Sequence, residues 1–338
     1  MNRRTQLKKA NPLALIIVVA LAATVSAGSL TPAMGPSSTM KTLQQVEPRK
    51  PIHSDDTPVL LSQAGSYYLT SNLYARAINQ PHIIEIFGNN ITVDLNGFTV
   101  EGLSQVGQAT DGIFATGNNI TIKNGLVRNC RDNGIEASAG TNLHIYNVQT
   151  NNNESGGIIA GSGAIIRDCI AMHNGTGIAA EKDGVVIGCA ASYNSATGIN
   201  TSLGCVVKNN SANYNLNGII ARGGIVKNNV ANRNDTHGIK VYENAHVIEN
   251  NCNYNGENSE LGCGIVVSGR YGRIEANTVT RNDIGIKADG NGVTANLIVK
   301  NHAQSNITDN YQMDIVLNKV GTLVAHPVGA GPWDNFDF

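Results

Sequence analysis

Charge is scarce in this chain. Asp, Glu, Lys and Arg make up 14% of its 338 residues, and the net charge is −1. Holding a nucleic acid or an anionic membrane takes a concentrated basic field, so both partners are excluded. Aromatics are also few, at 5% with a single tryptophan, which leaves the core to aliphatic side chains. No Cys-x-x-Cys pair occurs, and this removes the usual framework of a structural zinc site. Past the first 27 residues no apolar pattern repeats at the 3.6 residues of a helix. The apolar run from Leu13 to Val25 is short of the roughly 20 residues a membrane span requires.

Glycine is plentiful, at 37 residues, and much of it is periodic. A Gly-Ile step falls at Gly112-Ile113, Gly134-Ile135, Gly157-Ile158, Gly177-Ile178, Gly198-Ile199, Gly218-Ile219, Gly238-Ile239, Gly264-Ile265 and Gly285-Ile286. A fixed interval of about 20 to 23 residues is the mark of a solenoid, whose function lies in columns of residues stacked across repeats. Each repeat divides into short runs rich in Val and Ile, bounded by Asn, Gly and Asp, the composition of strand and turn. A coil that short has no room for a helix. The fold class read from this is all-β: a single-domain parallel β-helix of roughly ten coils, each strand pairing with its counterpart in the next coil.

Recurring asparagines fit the same plan. Asn209, Asn228 and Asn250 are read as one column and Asn194, Asn215, Asn234 and Asn282 as another, with amides bonding along the stack and turns in left-handed geometry. Arg3, Arg4, Lys8 and Lys9, the apolar run and Val25-Ser26-Ala27 form a signal-peptide pattern. The expected organisation is a signal peptide at 1–27, a linker at 28–58, the β-helix with its N-terminal cap at 59–310, and a C-terminal cap or tail at 311–338. The tail carries Trp333, read as part of a cap over the last coil. The product would be secreted, periplasmic or at the cell surface, monomeric, and free of the membrane once the signal is cleaved.

Six cysteines in an exported chain raise the question of disulfides. Cys169 and Cys189 hold equivalent positions of adjacent repeats, about 4.8 Å apart if stacked, but parallel side chains suit a bridge poorly. Cys252 and Cys263 flank the one long repeat and would staple an inserted loop. Cys130 and Cys205 have no evident partner.

The Asn…Gly-Ile repeats from Gly112 to Gly285, with the opening Tyr67-Tyr68-Leu69 and Val93-Asp94-Leu95-Asn96-Gly97-Phe98, resemble the right-handed parallel β-helix superfamily. The likeness is to its pectate-lyase-like members, and especially to the NosD-like group with generic β-helix repeats. It covers about 250 residues and implies a right-handed coil. For function it implies only a range: polysaccharide lyases, glycoside hydrolases, uronate epimerases, tailspikes and non-enzymatic periplasmic proteins. The enzyme signatures of that superfamily are absent. Paired aspartates occur only as Asp55-Asp56, and there is neither Asp-Pro-His nor Arg-x-Pro-x-x-Arg.

Three stripes remain as candidate surfaces. Counting two and four residues on from each Gly of the step places Arg222, Lys240, Tyr242, Lys287 and Asp289 on one outward face. Such a group suits β-elimination on an acidic polysaccharide. Arg222 or Lys287 would neutralise the uronate carboxylate, Lys240 or Tyr242 would take the proton, and His237 would assist. A second stripe runs through Lys123, Tyr146, Arg167, Ile187, Lys208, Lys227, Glu249, Glu275 and Lys300. The third, at the asparagine turn, holds His173, Tyr193, Tyr214, Arg233 and Arg281, with Tyr254 close to register. Tyr193 and Tyr214 are expected to serve as sugar platforms. No cofactor is called for; calcium would fall to Asp183, Asp235 or Asp283. The functional expectation is an exported protein that binds or modifies a polysaccharide or cell-surface glycan. Its alternative is a non-catalytic surface or periplasmic scaffold.

Overall fold

The computed structural model describes residues 48–76, 80–103, 110–256, 262–325 and 329–337. The signal-peptide reading and most of the expected linker lie outside them. The chain from Arg49 onward is a right-handed parallel β-solenoid, all-β as expected. Its front sheet has twelve strands. Neighbouring strands of that sheet pair in register, Ile199 with Ile219, Ile219 with Ile239, Ile239 with Ile265 and Ile265 with Ile286. Two further faces complete each triangular coil. In one coil, Asn217–Ala221 lies in the front sheet and Gly224–Lys227 in the second face. Val230 then bridges to the third, and His237–Val241 begins the next coil.

The Gly-Ile step works as a unit. Ile113, Ile135, Ile158, Ile178, Ile199, Ile219, Ile239, Ile265 and Ile286 are all fully buried and form one inward stack. Each is worth about 2 kcal/mol of burial. The glycine before each isoleucine sits where the chain from the neighbouring turn crowds in. A Cβ at Gly218 would lie 2.5 Å from the Gly238 carbonyl oxygen and 2.7 Å from Asn234 Nδ2, inside any tolerable contact. The dipeptide recurs because one residue must be absent as a side chain and the next must fill the core.

Behind those glycines runs a buried asparagine ladder. Asn153, Asn174, Asn194, Asn215, Asn234, Asn255 and Asn282 each accept, through Oδ1, the backbone N–H and the side-chain amide of the asparagine one coil earlier, except that Asn153 receives the N–H of Cys130. A second ladder passes through Asn210, Asn229, Asn250, Asn277, Asn301 and Asn335. Amide stacking was expected, but one column needs correction. Asn250 belongs with Asn210 and Asn229, whereas Asn209 and Asn228 are one residue earlier and carry positive φ. The left-handed residue and the ladder residue are different positions: the first turns the chain, the second points inward and satisfies it.

All six cysteines are thiols, and all are buried. Cys252 points into the core from the third face, whereas Cys263 starts a strand of the front sheet. They stand on different faces of the coil, and the staple expected between them is not formed. Cys169 and Cys189 do stack and share a hydrogen bond, which with burial raises the Cys169 thiol. They continue the second asparagine column, since Cys189 donates its N–H to Asn210 Oδ1 at 2.8 Å.

At the ends, Lys50–Ile52 already pairs in parallel with Gly65–Leu69, inside the stretch read as linker, and Gly65–Leu69 pairs on with Ile91–Asp94. At the C-terminus Asn335–Asp337 pairs with His302–Gln304, and Asn335 ends the second ladder. Lys300 Nζ lies 4.3 Å from the Trp333 ring centroid. Among the described residues no helix is long and apolar enough to cross a membrane.

Candidate functional site

The front sheet positions the first stripe. Strand alternation turns Ile219 and Ala221 inward and leaves Ile220 and Arg222 outward. Pairing then carries Ile220 to Lys240, Val266 and Lys287 in successive coils. The predicted residues do share a face, but they form two groups. Arg222 and Lys240 converge on Tyr242, at 5.9 Å and 5.6 Å from its ring centroid, the range of cation–π contact. Among the described residues neither cation is paired with a carboxylate. Lys287, by contrast, pairs with Asp289 at 3.6 Å. A small buried apolar cluster of Cys263, Val266 and Ile284 lies between Lys240 and Lys287.

His237 belongs to the same face. Burial, then the charges of Lys240 and Lys287, lower its pKa to about 4, so the ring is neutral near pH 7. Its Nδ1 accepts the Cys263 N–H at 3.2 Å, which assigns the proton to Nε2. A ring so arranged donates a hydrogen bond; it does not offer Nδ1 as a base.

Beside Arg222 an open hollow of about 390 Å3 extends toward Glu181, Lys182, Asn200, Ser202 and Leu203. Neither Lys240 nor Tyr242 lines it. Its polar wall is set by Ser202, which donates to Glu181 Oε2 at 3.0 Å. Glu181 and Ser202 stand four residues on from Gly177 and Gly198, in the register of Arg222, whereas Lys182 and Leu203 belong to the corner after the strand rather than to its alternation.

The third stripe is more continuous than the sequence indicated. His173 stacks on Tyr193 with centroids 5.4 Å apart, and Tyr193 on Tyr214 at 4.7 Å with planes 6° from parallel. Arg233 then lies 5.7 Å from the Tyr214 ring and 5.4 Å from Tyr254, and Arg281 lies 5.3 Å from Tyr254. Tyr254 is therefore fully in register. The guanidinium groups of Arg233 and Arg281 donate to the hydroxyls of Tyr214 and Tyr254. Tyr193 and Tyr214 cover each other's faces, so what they present outward is ring edge and hydroxyl. Two hollows flank the ladder. One, of about 350 Å3, adjoins Glu154, His173 and Tyr193; the other, of about 250 Å3, adjoins Tyr214, Arg233 and Tyr254.

The second stripe needs a correction of register. Lys123, Tyr146, Arg167, Ile187, Lys208, Lys227 and Glu275 share the column, but Ile248 and Val299 complete it. Glu249 and Lys300 are the positive-φ corner residues one step on. Several of its charges are paired, Lys227 with Glu249 at 3.2 Å and Lys300 with Glu275 at 2.9 Å, so no open basic track runs along it.

One cluster was missed. At the N-terminal end of the front sheet, His82 Nδ1 lies 3.2 Å from Asp111 Oδ2 and its ring stacks on Phe114 at 4.2 Å. The Asn133 amide reaches Asp111, Asp132 and Glu136, and burial followed by Asp111 raises the Asp132 pKa. Asp111 and Asn133 stand before the glycines of the first two Gly-Ile steps, but His82 precedes Ile83, and only strand pairing brings it opposite Asp111. The group repels an acidic ligand. As to calcium, Asp183, Asp235 and Asp283 occupy separate coils, and among the described residues no three or more His, Cys, Asp or Glu side chains are arranged so as to hold a metal ion.

The sequence matches no family model and no curated relative. Solved structures do match in fold. The A-module of mannuronan C-5 epimerase AlgE6 from Azotobacter vinelandii superposes with a TM-score of 0.66 at 14% identity, over 86% of this chain and 87% of that one. The surface adhesin PfbA of Streptococcus pneumoniae gives 0.51 at 12% identity, over 77% and 82%. The Dettilon tailspike protein gives 0.50 at 14%, over 80% and 63%. An epimerase, an adhesin and a tailspike on one scaffold establish the coil and leave the chemistry to the site.

Proposed function

We propose that this protein is an exported, monomeric β-helix that binds an acidic polysaccharide along its front sheet. The observation that carries the reading is the pair of exposed or half-exposed cations, Arg222 and Lys240, that converge on Tyr242 and, among the described residues, have no carboxylate paired with them. A carboxylate-bearing chain laid along the sheet would meet the guanidinium in its preferred two-point geometry and the ammonium as a point charge. The fold neighbours lend support of a general kind, since two are described as a mannuronan epimerase and a tailspike.

The finer reading is β-elimination by the same three residues. Arg222 would neutralise the uronate carboxylate and acidify the C5 proton. Lys240 or Tyr242, in its deprotonated form, would take that proton as the C4–O bond breaks, leaving a C4=C5 double bond and an alkoxide that takes a proton from water to depart. The site is an open surface, which suits binding more than turnover. Titration calorimetry with polymannuronate, polygalacturonate and neutral dextran tests the first reading, and ultraviolet absorbance of the unsaturated product tests the second. Binding to the uronans that weakens in Arg222→Ala and Lys240→Ala supports the proposal; equal affinity for dextran ends it. Absorbance that never rises assigns the protein to the binding scaffolds.

A further inference from the structure

We infer that the His173–Arg281 ladder is itself a contact for an acidic glycan, with a sugar carboxylate seated in the hollow between Tyr214 and Tyr254. The inference takes its ligand class from the proposed function and its location from independent observations.

The first observation is where the ladder stands. Asn152, His173, Tyr193, Tyr214, Arg233, Tyr254, Arg281 and Ser305 occupy one corner position in successive coils, all with φ between 53° and 57°. Asparagine adopts that left-handed geometry at low cost, and bulky side chains pay for it. The first coils use the cheap residue, at Asn129 and Asn152. The next six carry His, Tyr, Tyr, Arg, Tyr and Arg. Turning the chain asks for none of these side chains.

The second observation is chemical. Ring faces are spent on one another, so the exposed rim of the ladder is a row of hydroxyls and guanidinium edges. Each guanidinium carries five N–H donors in a fixed fork that matches a carboxylate. Arg233 and Arg281 flank Tyr254 on either side. The adjoining hollow of about 250 Å3 is lined by Asn213, Asn232 and Asn253 as well as by Tyr214, Arg233 and Tyr254. That is below the roughly 300–1,000 Å3 of a pocket for a whole small molecule, and fits one ring of a polymer. The coil rise along the ladder is the strand spacing, close to the advance of one pyranose along a β-1,4-linked chain, so a chain parallel to the axis meets one rung per sugar. The His173 end, beside Glu154, is the less favourable half for an anion.

The test compares Tyr214→Asn, Arg233→Asn and Arg281→Asn with wild type and with Arg222→Ala. Affinity for polymannuronate and dextran is read by calorimetry at low and moderate salt, and stability by the urea midpoint. Asparagine is the residue this corner accepts most easily, so the midpoints should hold or rise. The affinity of Arg233→Asn for polymannuronate should fall about tenfold, with a flatter salt dependence. Retained affinity in all three ladder variants, beside a loss in Arg222→Ala, would confine the glycan to the front sheet and overturn the inference. A lowered midpoint with unchanged affinity would make the ladder a turn cover and overturn it equally. Absence of uronan binding by wild type would remove this inference and the proposed function together.

Discussion

Two columns one residue apart share the same turn of the solenoid and obey opposite rules. The inner one reads Asn174, Asn194, Asn215, Asn234, Asn255, Asn282, while the outer one reads His173, Tyr193, Tyr214, Arg233, Tyr254, Arg281. Inside, each amide donates to the carbonyl of a core strand and to the next amide, and accepts two hydrogen bonds in return. Asn215, for example, donates to the Ala191 oxygen at 3.0 Å and to Asn234 Oδ1 at 3.2 Å. No other side chain of that size satisfies a buried corner so completely, and from Asn153 to Asn282 the column is asparagine at every coil, with Cys130 one coil before it. Outside, the backbone asks only for tolerance of positive φ, and the side chain is left to whatever the surface does. Uniformity marks the position that folds the protein; variety at a strained position marks the one available for function.

That contrast can be broken most severely from the inside. Asn215→Ala should cost about 3 kcal/mol or more, because it strands the Ala191 carbonyl and the Asn194 amides away from water; a shift of the urea midpoint measures it. The next effect belongs to His237, at the edge of the same turn. Its pKa is near 4 in the folded protein and near 6.5 when unfolded, so between those values the unfolded chain binds more protons and stability must rise with pH. The contribution is complete above about pH 6.5 and is lost as pH falls toward 4. Its ceiling is about 3 kcal/mol at 1.36 kcal/mol per pKa unit. His237→Asn, which installs the residue found at Asn217 in the preceding coil, should flatten the stability profile across that window.

Smaller effects come from the outside. Arg222→Ala and Lys240→Ala should each weaken uronan binding by about tenfold, or 1.4 kcal/mol, without moving the unfolding midpoint. A loss of stability instead would mean that the cation–Tyr242 contacts serve packing. Smallest of all, Tyr214→Asn should change stability by about 1 kcal/mol or less: relief of the left-handed strain, roughly 1–2 kcal/mol, opposes the loss of ring stacking, roughly 0.5–1.5 kcal/mol. A loss of 3 kcal/mol there would erase the distinction between the two columns.

Much of the solenoid was legible. The Gly-Ile interval located the front sheet, because crowding at the glycine and burial at the isoleucine recur at every rung. Alternation within the strand correctly set Arg222 and Lys240 outward. Legibility failed at the corners, where a miscount of one residue exchanges an inward side chain for an outward one. Asn250, Glu249 and Lys300 were misplaced in that way. It also failed for the His82–Asp111 cluster, which no local motif announces because its members are drawn from separate coils.

By itself the sequence determined the coil, its period and the inward stack, since those follow from local propensity repeated at a constant interval. Only the tertiary structure decided which cations meet a carboxylate among the described residues, that Tyr193 and Tyr214 cover each other's faces, and that Cys252 and Cys263 stand on different faces of the coil. Each of those depends on distances between coils and on φ at a single corner residue, and neither is written in the order of residues along one coil.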